Sequence, residues 1–344
     1  MIVSGGKVLH REILLAGVSR KFKFCFMVDS DKSCCSPNRT ALNPQLKYGV
    51  NSLNSSLDKS NFVSIPAGEF VMGTNSNFYP TDGEGPSRSV WLDEFKISKF
   101  STTNSDFAYF VDSTGYKTEA EIYGWSYVFS GLIDELSSSK IVLGIASTAP
   151  WWLAIEGAYW FKPYGNSFTI EEIPDHPVVH VSHNDALEYC KWAGYKLPTE
   201  AQWEKASRGG LVEKTYPWGD ELLINGMHQA NIWQGNFPDL NTKEDGFIGT
   251  APVDSFNENN YGLFNTVGNV WEWTNDYWSN KWHIPESDLT RRNPNGPSKT
   301  SGNKVLKGGS FLCHDSYCFR YRNSARNYNS PNTSTSNIGF RCVL

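Results

Sequence analysis

Two closely spaced cysteines, Cys313 and Cys318, are the residues of this sequence best suited to chemistry. They lie in the segment KGGSFLCHDSYCFRYRNSARN, residues 307–327, among aromatic residues and arginines. On an α-helix this spacing turns the two side chains about 140° apart, and on a strand it sends them to opposite faces. The sulfurs can therefore meet only if the backbone bends between them. The residues in between include three types that tolerate turns, His314, Asp315 and Ser316.

Two thiols at this spacing permit four kinds of site: a structural disulfide, half of a zinc site, a redox pair or a clamp for a soft metal ion. The spacing is wider than the C-x-x-C of zinc and thioredoxin-like motifs, and by itself it favours a local disulfide or two unpaired thiols. A zinc site needs about four nitrogen and sulfur ligands, for which His314 and Cys342 are nearby candidates. Two thiolates flanked by arginines would suit Cu(I), which prefers thiolate donors and stays open to a third sulfur.

The charge around the cysteine pair differs from that of the whole chain. The formal net charge of −5 argues against a general nucleic-acid binder. Near the pair, however, five basic residues face only one acidic residue, Asp315: Lys304, Lys307, Arg320, Arg322 and Arg326. This imbalance predicts a cationic wall that could hold a substrate backbone. No segment has the ~20 apolar residues of a membrane span, and the N-terminal segment is a poor signal peptide.

The composition predicts a fold built largely from loops and short strands. Aromatic residues make up 14% of the 344 residues, including 13 Trp, and Gly and Pro are frequent. Residues 1–60 are predicted to be a flexible N-terminal tail, because the segment NPQLKYGVNSLNSSLDKSN at its end is polar and rich in Asn and Ser. From residue 61 to 344 no linker-like stretch divides the chain, so a single domain is expected.

Several elements that must position the pair can be predicted locally. The segment FVSIPAGEFVMG, starting at Phe62, predicts a hairpin, and SVWLDEFKISKF predicts one further strand. Three helices have N-terminal capping signals, at Thr103, at Ser182 with Asp185, and at Thr199 with Gln202. Gly115, Gly194 and the pair Gly209-Gly210 are the predicted helix ends.

Other polar and aromatic groups allow both functional and structural interpretations. Loops carrying Asn231, Asp245, Asn265 and Glu272 could bind calcium, although these residues are also common in turns. The histidines at 176, 180 and 183 have no metal-site spacing on a helix, which favours structural roles. The tryptophan-rich segments APWWLAIEGAYW and VWEWTNDYW could line a groove for a peptide or sugar, but core packing is more common.

From about Phe62 to Val343 the chain resembles the formylglycine-generating enzymes, the sulfatase-modifying factor family. The resemblance includes IPAGEFVMGT, DHPVVHVSHNDALEYCKWAG, ANIWQGNFP, EDGFIGTAPVDSF and SNIGFRC. LPTEAQWE and VGNVWEW are shared with a broader superfamily, whereas GGSFLCHDSYCFRYR is specific to the catalytic branch. The resemblance implies a single-domain, loop-rich α+β fold of the C-type-lectin-like kind, with low regular secondary structure.

The resemblance also implies an activity. It is oxidation by O2 of the cysteine in a Cys-x-Pro-x-Arg segment of newly synthesised, unfolded sulfatases to Cα-formylglycine. The family's active-site thiols fall on Cys313 and Cys318, which would hold Cu(I), with Ser310 beside the oxygen pocket. Trp271, Tyr317 and Asn337 would be further pocket residues. The alternative is a non-catalytic, lectin-like peptide- or glycan-binding paralogue whose cysteine pair is locked as a disulfide.

Further features are expected from the same resemblance. Two calcium sites carry over to Asn231, Ile232, Asp245 and Phe247, and to Asn265, Gly268, Val270 and Glu272. A family disulfide falls on Cys190 and Cys342, while a second one is replaced by Ser207 and Asn323. In the tail, Cys34 and Cys35 would correspond to an exchange-active pair. Residence in the endoplasmic reticulum lumen and a homo- or heterodimer are also expected, with no nucleic acid and no membrane span.

Overall fold

The computed structural model describes residues 37–39, 59–76, 78–133, 141–165, 167–298 and 302–344. Most of the predicted tail, including Cys34 and Cys35, therefore lies outside the described residues. The helices in the described part are α1 (Asn104–Thr114), α2 (Glu119–Tyr123), α3 (His183–Ala193), α4 (Glu200–Arg208) and α5 (Asp288–Arg291). The strands are β1 (Phe62–Ile65), β2 (Gly68–Met72), β3 (Arg88–Leu92), β4 (Phe95–Ser98), β5 (Trp125–Phe129), β6 (Val142–Ile145), β7 (Trp152–Glu156), β8 (Leu223–Ile224), β9 (Met227–His228), β10 (Gly235–Asn236), β11 (Leu240–Asn241), β12 (Trp271–Tyr277), β13 (Lys304–Lys307), β14 (Arg326–Asn329) and β15 (Ile338–Phe340).

A four-stranded sheet in the order β14-β13-β12-β15 forms the scaffold of the C-terminal region. Strands β12 and β15 are parallel, with Glu272 opposite Gly339, whereas β13 is antiparallel to both of its neighbours. A three-stranded sheet, β5-β7-β6, and four two-stranded sheets complete the described strands. Helices and short strands are joined by long irregular segments, which confirms the predicted loop-rich α+β fold.

The predicted hairpin at the start of the domain is wrong. Strand β1 pairs with β4, with Phe62 opposite Ser98, and β2 pairs with β3, with Gly68 opposite Leu92. The segment SVWLDEFKISKF accordingly forms two strands, β3 and β4, where one was predicted. Local sequence indicates where a strand can form, but its partner is selected by hydrogen bonding and packing with residues far along the chain.

The helix boundaries predicted from capping signals are confirmed. Thr103, Ser182 and Thr199 each form a capping box with the acid or amide three residues later. All three helices end at a glycine in the left-handed conformation, Gly115, Gly194 and Gly209. No helix in the described part of the chain is long and apolar enough to span a bilayer.

The largest hydrophobic core contains the cysteine pair. Cys313 and Cys318, each 1% exposed, belong to a buried cluster that includes Trp271, Trp273 and Phe340. A second cluster, with Trp152, Trp233 and Phe311, packs beside it under the sheet of β5, β6 and β7. Several of the tryptophans therefore form core, as the commoner interpretation predicted, and two cores meet at the loop that carries the thiols.

Candidate active site

The backbone bends between Cys313 and Cys318 and brings their Sγ atoms to 3.4 Å. Two amides, those of Tyr317 and Cys318, donate to the carbonyl of His314 at 3.0 and 2.6 Å and close a tight turn. A second turn precedes it, since the Cys313 amide donates to the Ser310 carbonyl at 2.9 Å. The spacing that suits neither a helix nor a strand is thus accommodated by two successive turns.

Two glycines let the chain leave strand β13 and enter this loop. Gly308 and Gly309 have φ values of 95° and 76°, in the region that side chains disfavour. A Cβ atom at Gly308 would lie 2.7 Å from the Thr266 carbonyl oxygen, so the position also requires the absence of a side chain. The glycine pair therefore delivers Ser310 and the thiols to one end of the central sheet.

Ser310 lies directly against the pair and is held by Asn337. Its amide donates to Cys313 Sγ at 3.3 Å, and its hydroxyl accepts from Asn337 Nδ2 at 2.9 Å. Asn337 Oδ1 in turn accepts from the Thr335 hydroxyl at 2.6 Å. The three side chains are fully buried, so this network fixes the position of Ser310.

The rim of the site is aromatic. The ring of Tyr317 stacks on Phe237 at 4.6 Å and meets the edge of Trp151 at 4.9 Å, and all three side chains are partly exposed. Beneath them Trp271 is fully buried, and its Nε1 has no hydrogen-bond acceptor among the described residues. The Trp271 amide donates to the Asn337 carbonyl at 2.8 Å, and Tyr317 directly precedes Cys318, so all three residues lie near the thiol loop. Their role as pocket residues stays a prediction.

The zinc interpretation of the pair is wrong. Cys342 lies next to Cys190, at an Sγ–Sγ distance of 3.6 Å, and both are free thiols in this structure, so their disulfide stays a prediction. His314 Nδ1 instead hydrogen-bonds to the Ser316 hydroxyl at 2.7 Å. In the described part of the chain no group of three or more His, Cys, Asp or Glu side chains could hold a metal. Two sulfur ligands alone suit a soft ion of low coordination number.

The predicted cationic wall is also wrong, because its arginines form buried ion pairs. The pairs are Arg320–Asp82, Arg322–Glu84 and Arg326–Glu200, at 2.7, 2.7 and 2.5 Å. Asp82 ends the 3₁₀ turn Pro80–Asp82, Glu84 follows that turn and Glu200 begins helix α4, all far away in sequence. Arg320 also contacts the site directly, since its Nη1 lies 3.8 Å from Cys318 Sγ. The arginines therefore hold the thiol loop in place, and their charges are not available to bind a substrate backbone.

The first predicted calcium loop has a geometry that fits a cation. The carbonyl of Ile232 and the carboxylate of Asp245 converge on one donor, Gln234 Nε2, which is 2.8 Å from Asp245 Oδ2. Phe247 follows in the same loop, with its amide donating to Asp245 Oδ1 at 3.0 Å, and Asn231 precedes Ile232. Burial raises the pKa of Asp245. Carbonyl and carboxylate oxygens are the ligands that calcium takes, and the calcium site in this loop stays a prediction.

In the second predicted calcium loop, Glu272 is already saturated. Its two oxygens accept from Arg341 at 2.6 and 2.8 Å, from Ser101 at 2.8 Å and from Trp203 at 2.7 Å. Each carboxylate oxygen of Glu272 accepts two hydrogen bonds, and Arg341 compensates the charge, so the structure does not support Glu272 as a calcium ligand. Asn265 Oδ1, by contrast, is buried without a donor among the described residues, and Gly268 and Val270 continue the same loop.

The histidines have structural positions. Burial lowers the pKa of His180 and of His183 to about 3, so both rings are neutral over the physiological range. His180 Nδ1 is bonded to the Ser126 hydroxyl at 2.8 Å, and His176 Nδ1 to the Thr250 hydroxyl at 2.9 Å. Their three separate environments agree with the structural roles that the sequence favoured.

Sequence analysis missed a contact made by the N-terminal tail. Pro37 and Arg39 are buried, and the Arg39 guanidinium lies 4.2 Å from the ring centres of both Tyr123 and Trp125. Its Nη2 donates to the Trp125 carbonyl at 2.7 Å and to the Ser334 hydroxyl at 3.2 Å. Polar composition gave no sign of this contact, but the segment Cys-Ser-Pro-Asn-Arg that ends at Arg39 was an available signal.

Comparison with known proteins identifies the relatives of this chain. Residues 49–344 match the sulfatase-modifying factor enzyme 1-like domain. The formylglycine-generating enzyme of Thermomonospora curvata is 52% identical over 282 residues, which cover 82% of this chain and 92% of that enzyme. The enzyme of the same name from Bos taurus is 52% identical over 281 residues, covering 82% and 74%.

Two further comparisons concern a more distant relative in sequence and a protein that is similar in structure. The inactive Cα-formylglycine-generating enzyme 2 of Bos taurus is 42% identical over 286 residues, covering 82% of this chain and 87% of that protein. The structure of PvdO from Pseudomonas aeruginosa has a TM-score of 0.60 at 22% identity and covers 82% and 93% of the two chains. At that identity the likeness to PvdO shows the fold alone.

Proposed function

The chain belongs to the sulfatase-modifying factor enzyme 1-like family, and we propose that it converts a cysteine in the Cys-x-Pro-x-Arg segment of newly made sulfatases to Cα-formylglycine. Two formylglycine-generating enzymes are 52% identical to this chain, and an inactive paralogue is 42% identical. The observation that carries the proposal is the contact of the Cys313 and Cys318 sulfurs at 3.4 Å under an aromatic rim. O2 is the proposed oxidant and Cu(I) the proposed cofactor.

Cys313 and Cys318 are the proposed copper ligands. The two thiols would hold Cu(I) while leaving room for a substrate thiolate, and the ion would supply one-electron chemistry with O2. Ser310 N–H donates to Cys313 Sγ at 3.3 Å, and Arg320 Nη1 donates to Cys318 Sγ at 3.8 Å. These two contacts place donors against the sulfur lone pairs, an arrangement suited to ionised thiols.

The surrounding side chains fit the remaining tasks of the reaction. Ser310 contacts Cys313 Sγ through its amide, and its buried hydroxyl is held by Asn337. Trp271 belongs to the same buried cluster as the thiols, and its indole N–H has no acceptor among the described residues. These groups are suited to hold a small polar oxidant next to the substrate cysteine. The partly exposed rings of Trp151, Phe237 and Tyr317 can cover an extended peptide and exclude water.

Calcium is a separate proposal with a structural role. Asn231, Ile232, Asp245 and Phe247 would hold the first ion, where a carbonyl and a carboxylate already converge. The loop precedes Trp233, whose amide donates to the Cys313 carbonyl at 3.0 Å, so a bound ion would brace the thiol loop from outside. Metal analysis after dialysis against a chelator, together with the unfolding temperature with and without calcium, tests this role.

The activity is tested by incubating reduced, copper-loaded protein with a peptide that contains Cys-x-Pro-x-Arg. We expect the peptide to lose the mass that separates a thiol from an aldehyde when O2 is present, and to be unchanged when O2 or copper is withheld. A Cys318→Ser variant, which keeps the size of the side chain, should bind Cu(I) more weakly and lose turnover. Absence of conversion by the copper-loaded protein would favour the non-catalytic peptide- or glycan-binding alternative.

A further inference from the structure

The N-terminal tail contains a copy of the substrate motif. Residues 35–39 are Cys-Ser-Pro-Asn-Arg, which matches Cys-x-Pro-x-Arg at all three specified positions. The motif occurs nowhere else in the sequence. The arginine that ends this copy is the same Arg39 that is buried against the domain, at 4% exposure. A recognition motif and a docked arginine thus coincide in one short segment.

The docking involves backbone and side-chain contacts on both sides of a loop. The Arg39 amide donates to the Thr333 hydroxyl at 2.8 Å, and the Pro37 carbonyl accepts from Asn329 Nδ2 at 3.3 Å. The side chain of Asn38 accepts from the Ser330 amide at 3.2 Å. The segment therefore approaches from the end of strand β14 and inserts its arginine beyond the loop of residues 330–334.

The pocket buries the Arg39 guanidinium but does not provide hydrogen-bond acceptors for all of its N–H groups. Nε and Nη1 of Arg39 are buried with no hydrogen-bond acceptor among the described residues, although Nη2 has two. Arg341, by comparison, forms two bonds to one carboxylate. A buried donor without a partner costs about 1–3 kcal/mol, which weakens the docking of the tail. Burial lowers the pKa of Arg39 to about 10, so the guanidinium is still charged at neutral pH.

The pocket lies within reach of the thiols for a substrate of this motif. Ser334, which contacts Arg39, is followed by Thr335 and Asn337, and Asn337 binds the hydroxyl of Ser310 beside Cys313. In a Cys-x-Pro-x-Arg peptide, four residue steps of at most ~3.5 Å each give a span of about 14 Å between cysteine and arginine. Ser334 and Asn337 are three residue steps apart, at most about 10 Å, so a peptide of that span can extend from the arginine pocket to Asn337, which contacts Ser310.

We infer that Arg39 occupies the pocket that receives the arginine of the sulfatase segment, so that the N-terminal tail is a reversible internal competitor of the substrate. The inference rests on the proposed function, because it takes the substrate motif from there. Sharing the arginine pocket is sufficient for competition, and Cys35, which lies outside the described residues, need not reach the thiols. A tethered segment is present at millimolar effective concentration, so even a weak contact competes.

The test compares the wild type with Arg39→Ala on two peptides, one with Cys-x-Pro-x-Arg and one with Ala in place of the arginine. If the tail is docked about 90% of the time, removing Arg39 lowers KM for the arginine peptide about tenfold and leaves kcat unchanged. KM for the alanine peptide should stay the same, because that peptide does not use the pocket. Equal KM values for the arginine peptide in both proteins would overturn the inference.

Two controls keep folding and activity separate from docking. Arg292→Ala removes an arginine whose side chain is 61% exposed and should leave both KM values unchanged. If Arg39→Ala does not fold, Arg39→Lys keeps the charge, loses the second hydrogen bond and should lower KM in the same direction by a smaller factor. A synthetic Ser-Ser-Pro-Asn-Arg peptide added to the alanine variant should restore a high KM, and a failure to compete would also count against the inference.

A binding measurement separates this inference from the proposed activity. A fluorescent peptide with Ser in place of the motif cysteine is titrated against both proteins and cannot react. Tighter binding by Arg39→Ala supports the competitor even if no turnover is found, in which case the proposed function alone fails. Turnover with equal peptide affinity in both proteins would refute the competitor and leave the proposed function standing.

Discussion

Ser207 in helix α4 donates a hydrogen bond of 2.8 Å to Asn323 Oδ1, across 116 positions of sequence. Both side chains are fully buried. These are the two positions at which the family resemblance implies a disulfide, so a polar contact stands where a covalent one was expected. The Ser207 hydroxyl also lies 3.0 Å from the Thr266 hydroxyl, and Asn323 Nδ2 donates to the Lys214 carbonyl at 3.1 Å.

The double variant Ser207→Cys/Asn323→Cys should form a disulfide under oxidising conditions. Closing so long a loop typically contributes about 2–4 kcal/mol to the free energy of unfolding, partly offset here by the loss of the polar contacts. Urea denaturation of the oxidised and the reduced protein measures the difference, and the Ser207→Cys single variant is the control. Identical midpoints in both redox states would show that the side chains cannot adopt the required geometry.

Glu272→Gln should be among the most destabilising single changes in the described part of the chain. The side chain of Arg341 is 0% exposed, and the Glu272 carboxylate compensates its positive charge. The variant therefore leaves a buried cation without a counterion. Removing one partner of a buried pair typically costs about 3–5 kcal/mol. The free energy of unfolding from urea titration checks this value.

Asp93→Asn is the matched control for that experiment. Asp93 and Arg292 form an ion pair whose side chains are 64% and 61% exposed, and exposed pairs contribute little to the free energy of unfolding.

The calcium content of Glu272→Gln should equal that of the wild type, because the Glu272 carboxylate already accepts hydrogen bonds from protein donors. A loss of one calcium ion without loss of stability would restore Glu272 to the calcium site.

Asp276 should make the stability of the protein depend on pH. Burial, together with the nearby charge of Glu200, raises its pKa to about 7. The folded state therefore holds this proton more tightly than the unfolded state, in which an aspartate carboxyl has its ordinary pKa of about 3.9. By linkage, the stability due to Asp276 is complete below about pH 4 and is lost as the pH rises toward 7.

Asp276→Asn removes that slope, because an amide does not titrate. Relative to the wild type, the variant should therefore gain stability between about pH 5 and about pH 8, measured by denaturant titration at both values. Asp220 gives a control of opposite sign, since its bond to Lys214 lowers its pKa. Asp220→Asn should not gain stability over the same interval. A constant difference between Asp276→Asn and the wild type would exclude a raised pKa at Asp276.

Features encoded in short segments could be predicted from the sequence. The capping boxes at Thr103, Ser182 and Thr199 depend on residues three apart, so local sequence is sufficient to place them. The bend between Cys313 and Cys318 also follows from local chemistry, because only a turn reconciles their spacing with a contact. The resemblance to a family then supplied the roles that local sequence leaves open.

Features that depend on distant partners could not be predicted. Arg322 counts as a free cation in the sequence because Glu84, its partner at 2.7 Å, lies 238 positions away. The pairing of β1 with β4 in place of β2 has the same cause, since hydrogen-bonding partners are chosen in three dimensions. The burial of Arg39 could not be predicted from composition, because composition is an average over a segment and does not identify a single residue that binds in a pocket.

The role of Ser310 can be separated from its effect on Asn337 by comparing two variants. Ser310→Ala removes the acceptor of Asn337 Nδ2, and Thr335→Val removes the donor to Asn337 Oδ1, both from fully buried positions. Each change leaves one polar group of Asn337 without its partner, so their costs in stability should be similar, about 1–3 kcal/mol. Of these two residues only Ser310 contacts a thiol, through its backbone amide, and its hydroxyl is the group proposed to contact the oxidant. Ser310→Ala should therefore lower kcat by at least about tenfold while Cu(I) binding is retained, whereas Thr335→Val should affect kcat much less. Equal losses of kcat in both variants would assign Ser310 a positioning role through Asn337 and no direct one.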